Sequence, residues 1–151
     1  MSSVQGIHHI TAIAGDPKEN YRFHTEVLGL RLVKKSINQD VPDTYHLFFA
    51  DGAGNPGTDL TFFPWPQMGR GRIGTGVWGE VSFSIPPGSL DFWQKRFTAA
   101  GVEAGEREVR FGEAVLPFFD PHGMALSLTG SETYPAASFT PWHGTDVPVE
   151  H

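Results

Sequence analysis

Gly6-Ile7-His8-His9-Ile10-Thr11-Ala12-Ile13-Ala14 is the stretch on which the fold turns. Ile10, Ala12 and Ala14 fall on one side of an extended chain and His9, Thr11 and Ile13 on the other, the period of two that marks a half-buried strand. Next comes Asp16-Pro17-Lys18-Glu19: an Asp that can cap free N–H groups, a Pro suited to the first helical position, and a Glu placed to close a capping box. Phe23, Val27 and Leu28 give the helix an apolar stripe, and Gly29 can take the left-handed conformation that ends it after about three turns. Strand-like runs follow over residues 30–37, 44–50 and 58–63, the last two separated by the turn-rich Asp51-Gly52-Ala53-Gly54-Asn55-Pro56-Gly57. The order is β-α-β-β-β.

The same order returns displaced by roughly seventy residues, which demands a repeat reading. Val81, Phe83 and Ile85 alternate with Glu80, Ser82 and Ser84, a helix over 89–100 carries Leu90, Trp93 and Phe97 on one face, and Gly101 stops it as Gly29 stops the first. Strands are predicted over 102–111, 113–119 and 124–129, with the tight turn Asp120-Pro121-His122-Gly123 before the last. The chain therefore divides into a first unit (1–66), a Gly/Arg-rich linker (67–76), a second unit (77–130) and a tail or interdomain linker (131–151) without clear periodicity. Alternation aligns Ile10 with Val81, Ala12 with Phe83 and His9 with Glu80. In each unit the apolar file should pack on its own helix, leaving His9 and Thr11, or Glu80, Ser82 and Ser84, on the opposite, polar face.

Bulk properties narrow the function. Of 151 residues, 39% are hydrophobic and 13% aromatic, a globular composition. Eleven basic residues against seventeen acidic ones leave a charge of -6, which opposes attraction to nucleic acid or to an anionic membrane, and neither partner is expected. The absence of Cys excludes disulfides, thiolate nucleophiles and Cys-ligated zinc. No basic segment followed by an apolar run opens the chain and no stretch approaches a membrane span, so a cytoplasmic protein is the expectation.

Tandem β-α-β-β-β units with a His in the first strand, a Leu-Gly ending the first helix and an Asp-Pro-x-Gly turn before the last strand resemble the vicinal oxygen chelate superfamily of glyoxalases, bleomycin- and fosfomycin-resistance proteins and extradiol dioxygenases. Four blocks narrow the resemblance to hydroquinone-type ring-cleaving dioxygenases: Ile7-His8-His9-Ile10-Thr11, Val27-Leu28-Gly29-Leu30-Arg31-Leu32-Val33-Lys34-Lys35, Tyr45-His46-Leu47-Phe48-Phe49-Ala50-Asp51 and Pro56-Gly57-Thr58-Asp59-Leu60-Thr61-Phe62-Phe63-Pro64-Trp65. The fold implied is α+β, with two tandem βαβββ units whose mixed or antiparallel sheets form an open, cup-like barrel.

Members of that group are about twice this long and bind Fe(II), or sometimes Mn(II), through two His and one Glu. The resemblance makes His9 a metal ligand, puts His8 and Thr11 around it, and assigns the remaining His and Glu to a C-terminal half, to which Val147-Pro148-Val149-Glu150-His151 resembles the linker. Extradiol cleavage needs a divalent metal with adjacent open positions for an aromatic diol and dioxygen. Within a two-unit cup the candidate ligand positions are His9, Thr61, Glu80 and Ser127, and a Ser where the superfamily usually carries a carboxylate is a poor ligand. The isolated chain is thus expected to lack a complete site, to need the C-terminal half or a homodimer mate, and to be inactive alone.

Two other functions fit the scaffold: a glyoxalase-like metal-dependent lyase using a carboxylate such as Glu80 as base, with its pKa raised by burial, and a metal-free binding module of the bleomycin-resistance kind. Plainer readings stand beside each residue. His9 could be a strand histidine without function. His8 should face away from His9 unless the strand bulges, and Glu80 is a weaker ligand candidate that could equally be a rim charge. His24 on a helix and His122 in a turn are expected to face solvent, and His46 to serve a hydrogen-bonded structural role. Core packing is favoured for Phe62, Phe63, Trp65 and Trp78, and Arg70 and Arg72 lack a phosphate-loop pattern.

Overall fold

In the computed structural model of the chain, Val4, residues 6–72 and residues 74–132 are described. Most of the predicted tail lies outside them.

β1 (His9–Ala14) is followed by Asp16, whose carboxylate accepts from the amides of Lys18 and Glu19 at 2.9 Å each, with Pro17 opening α1 (Pro17–Arg22). The apolar spacing predicts an unbroken α-helix. Instead the chain continues as a π-helical turn, Phe23–Val27, with the Leu28 amide reaching back to the Phe23 carbonyl at 3.0 Å. Side chains answer two carbonyls of the preceding turn: His24 Nδ1–H donates to Asn20 (2.9 Å) and Thr25 Oγ1 donates to Tyr21 (2.7 Å). The wider turn carries Phe23, His24 and Thr25 together onto the sheet. This corrects the expectation for His24, which is fully buried beside Phe49 and Phe62, with ring centroids 5.0 and 4.6 Å away.

β2 (Arg31–Ile37), β3 (Tyr45–Ala50) and β4 (Asp59–Pro64) complete the first unit in the order β1-β4-β3-β2, the β1–β4 pair parallel and the others antiparallel. The second unit repeats this plan. β5 (Val81–Ile85), α2 (Leu90–Ala100), β6 (Glu108–Arg110), β7 (Glu113–Phe119) and β8 (Ala125–Gly130) form a sheet in the order β5-β8-β7-β6, with β5–β8 parallel. The architecture is α+β with two mixed four-stranded sheets, and the units part between Gly69 and Arg70.

Gly29 (φ 72°) and Gly101 (φ 69°) both hold the left-handed conformation that stops the helices. The strand predicted over 102–111 shrinks to β6 and an isolated bridge from Ala104 to Phe118. Pro117, opposite this segment, has no N–H to continue a ladder, and its carbonyl accepts from the Gly105 amide at 2.8 Å.

Sidedness follows the alternation. Phe49, Leu60 and Phe62 bury the helix side of the first sheet. Trp93, Phe97 and Phe118 do the same in the second, Phe97 and Phe118 meeting at 4.6 Å between centroids. His9, Thr11 and Ile13 are exposed on the other side of β1, as Ser82 and Ser84 are on β5. No helix among the described residues is long and apolar enough to cross a membrane.

Candidate functional site

Parallel pairing of β1 with β4 sets His9 beside Asp59, Thr11 beside Thr61 and Ile13 beside Phe63, and antiparallel pairing of β3 sets Phe48 against Thr61. These side chains therefore share the face turned away from the helix.

His8 precedes β1 and so escapes its alternation. Its Nδ1 lies 3.2 Å from Nδ1 of His9, one nitrogen donating and the other accepting. The same His8 atom is 3.9 Å from the Asp59 carboxylate, and with His8 68% exposed this pair adds little stability. Sequence reasoning did not single out Asp59; only the β1–β4 register brings it here.

Two residues along β1 from His9, a hydrogen-bonded chain starts at Thr11 and crosses β4 to β3. Thr61 Oγ1 donates to Thr11 Oγ1 at 2.9 Å, and Thr61 Oγ1 is also 2.9 Å from Nε2 of His46. The imidazole packs against Phe48 and Phe63, with centroids at 4.0 and 4.1 Å. Burial, then the charges of His9 and Lys34, pull the His46 pKa below the ordinary histidine value, so its neutral form is favoured.

The second unit spends its equivalent face on ion pairing. Glu80 Oε1 accepts from Arg110 Nη1 at 2.5 Å and from Ser127 Oγ at 2.6 Å, while Arg110 Nη2 also binds Glu108. The Arg110 hydrogen bond outweighs burial and holds the Glu80 carboxyl below the usual glutamate range, the reverse of a base with a raised pKa. Arg110 went unnoticed in the sequence because its partner lies thirty residues away in the chain, across the sheet.

Of the four positions considered for a two-unit centre, Thr61 and Ser127 are buried in hydrogen bonds of their own units, and Glu80 is engaged by a cation. Among the described residues no group of three or more His, Asp or Glu is placed to hold a metal ion. The donors described here do not by themselves fit a complete metal centre.

The aromatic expectation needs correction. Phe62 is core, but Trp78 is 71% exposed, and Phe63 and Trp65 are half-buried, 5.8 Å apart. Pairing β4 through Phe63 to β1 puts that ring on the His9 side, which alternation alone leaves undecided in so apolar a run. His122 is half-buried rather than solvent-facing, drawn in by its amide bond to Asp120 at 2.9 Å.

Repeated βαβββ units with parallel first and last strands define the scaffold, and the sequence matches the Glyoxalase/Bleomycin resistance protein/Dioxygenase superfamily over residues 6–128; the chain belongs to that superfamily. It is 47% identical over 137 residues to the Bacillus subtilis (strain 168) protein named "Putative ring-cleaving dioxygenase MhqE", covering 91% of this chain and 45% of that one. It is 36% identical over 150 residues to the chlorohydroquinone/hydroquinone 1,2-dioxygenase of Sphingobium indicum, covering 97% of this chain and 46% of that protein. A crystal structure of a Bacillus subtilis protein described as a "putative dioxygenase" superposes with a TM-score of 0.83 at 44% identity, over 93% of this chain and 47% of that one. The chain spans less than half the length of these relatives.

Proposed function

We propose that the chain is the first half of a ring-cleaving dioxygenase acting on hydroquinone- or catechol-like aromatics with dioxygen, and that His9 is one ligand of its divalent metal, Fe(II) or Mn(II). The remaining ligands come from a further half or from a second copy of the chain. The observation that carries this reading is the exposure of His9 on the face of β1 away from the helix, in a chain 47% and 36% identical to relatives named for ring cleavage. A bound metal of this kind would activate dioxygen and hold an aromatic diol in adjacent positions. The part left to this chain is to present His9, with His8 and Asp59 beside it, and to line the face with Thr11 and Phe63. A lyase using Glu80 as base loses support, because Arg110 neutralises that carboxylate and lowers its proton affinity.

The test compares the 151-residue chain with the product of its complete reading frame, each loaded anaerobically with Fe(II) and then given hydroquinone and oxygen. Iron-dependent oxygen uptake is expected only from an assembly supplying the other ligands. It should fall by at least about a hundredfold in His9→Ala with the circular dichroism spectrum unchanged. Full activity in a folded His9→Ala protein would remove His9 from the metal and the proposal with it.

A further inference from the structure

We infer that His46 is a positioning residue for Thr11, acting through Thr61, and that it makes the Thr11 hydroxyl a hydrogen-bond donor toward a phenol or phenolate oxygen bound beside His9. This rests on the reading of the His9 face as the binding face. It adds the polarity of that face and the residue that sets it.

Thr61 is fully buried and owns a single hydroxyl proton, which it donates to Thr11 Oγ1. Its 2.9 Å contact with His46 Nε2 is therefore one in which Nε2–H donates. Thr11 Oγ1 accepts a hydrogen bond from within the sheet, so its own hydrogen points elsewhere. Thr11 is exposed on the side of β1 that carries His9, and outward is the direction left open. The bonds run His46 to Thr61 to Thr11 to ligand, each polarising the next.

The opposite tautomer reverses the chain. With Nδ1 protonated, Nε2 accepts from Thr61, Thr61 accepts from Thr11, and Thr11 can offer a ligand only its lone pairs. Phe48 and Phe63, with ring centroids 4.0 and 4.1 Å away, crowd the imidazole and oppose its turning to evade the choice. Burial, the largest cause lowering the ring's pKa, favours its neutral form, in which the tautomer decides the polarity.

The test uses the 151-residue chain, with nitrogen-15 shifts to assign the His46 tautomer and two probes, 4-nitrophenolate and nitrobenzene, which differ in the oxygen that Thr11 would recognise. Nε2–H is expected, together with a preference for 4-nitrophenolate. His46→Phe and Thr11→Val should each cut that preference about tenfold, whereas His46→Gln, whose amide N–H can stand in for Nε2–H, should recover most of it. A merely structural role would shift melting temperature and both affinities alike, leaving their ratio unchanged. A protonated Nδ1 with bare Nε2, or an undiminished preference in folded His46→Phe, overturns the inference while the binding face stands. No preference in the wild-type chain, even with Nε2–H present, sinks the binding face and this inference together.

Discussion

The two units share strand order, parallel closing pair and helix stop, yet their faces away from the helix hold different chemistry. Thr11 pairs with Thr61 across β1 and β4 where Ser82 pairs with Ser127 across β5 and β8, so hydroxyls occupy matching places. In the first unit they link inward to an imidazole and leave His9 exposed; in the second, Ser127 donates to Glu80, Ser82 bonds Thr129 at 2.7 Å, and Arg110 neutralises the carboxylate. A repeated scaffold constrains the side that packs, because every methylene there is felt, and leaves the other side free to diverge.

If that is right, the helix sides should be equally demanding. Phe62→Ala and Trp93→Ala each empty a site no more than 1% exposed, and each should cost about 3–5 kcal/mol in urea unfolding. A cost under about 1 kcal/mol for one but not the other would break the equivalence of the two cores.

The faces away from the helices should differ in the opposite sense. Removing the guanidinium in Arg110→Gln takes away the main cause that holds Glu80 down, so the Glu80 pKa should rise toward the ordinary glutamate value in a carbon-13 titration, with Ser127 still bonded. A depressed carboxyl stabilises the fold above its unfolded pKa, near 4.3, and loses that contribution as pH falls through the folded value. The variant should therefore unfold with a shallower acid limb than the wild type. A Glu80 titration that ignores the change would mean the ion pair is not formed in solution.

The sequence made the scaffold legible because its signals are local: the alternation of His9–Ala14 and Val81–Ile85, the Asp16 cap, and the two glycines that end helices all act within a few residues. The sites were legible only as far as one strand reaches. His9 and Thr11 could be placed on a face, but the links from Thr11 to His46 and from Glu80 to Arg110 depend on pairing between distant segments. His24 misled for a related reason. A helical period of 3.6 residues sets it one turn from Leu28, within the apolar stripe, so its polarity rather than its spacing suggested solvent, and nothing in Phe23-His24-Thr25 announces the π turn or the seat against Phe49 and Phe62.

The smallest expected effect comes from the sharpest form of the comparison, the turns that follow β3 and β7. Asp51 and Asp120 occupy the same place in their units and do the same job, each accepting two backbone amides on Oδ1: Ala53 and Asn55 at 3.1 and 3.0 Å, His122 and Met124 at 2.9 and 2.7 Å. Their surroundings push them apart. At Asp51 burial, which would raise the pKa, is outweighed by hydrogen bonds from Asn55, Gly54 and Ala53, and the carboxyl is lowered; at Asp120, only 4% exposed, burial wins and the carboxyl is raised. A lowered acid adds stability above its unfolded pKa, near 3.9, and loses it as pH falls, whereas a raised one is least costly below that pKa and burdens the fold as pH rises through its folded value. Asn keeps the accepting oxygen and deletes the charge, so Asp51→Asn should lose stability at pH 7 and Asp120→Asn should gain, each relative to its own effect in acid. Unfolding free energies at pH 7 and in acid measure the two signs directly. Slopes of the same sign would show that the turn geometry, not the burial around it, governs both carboxylates.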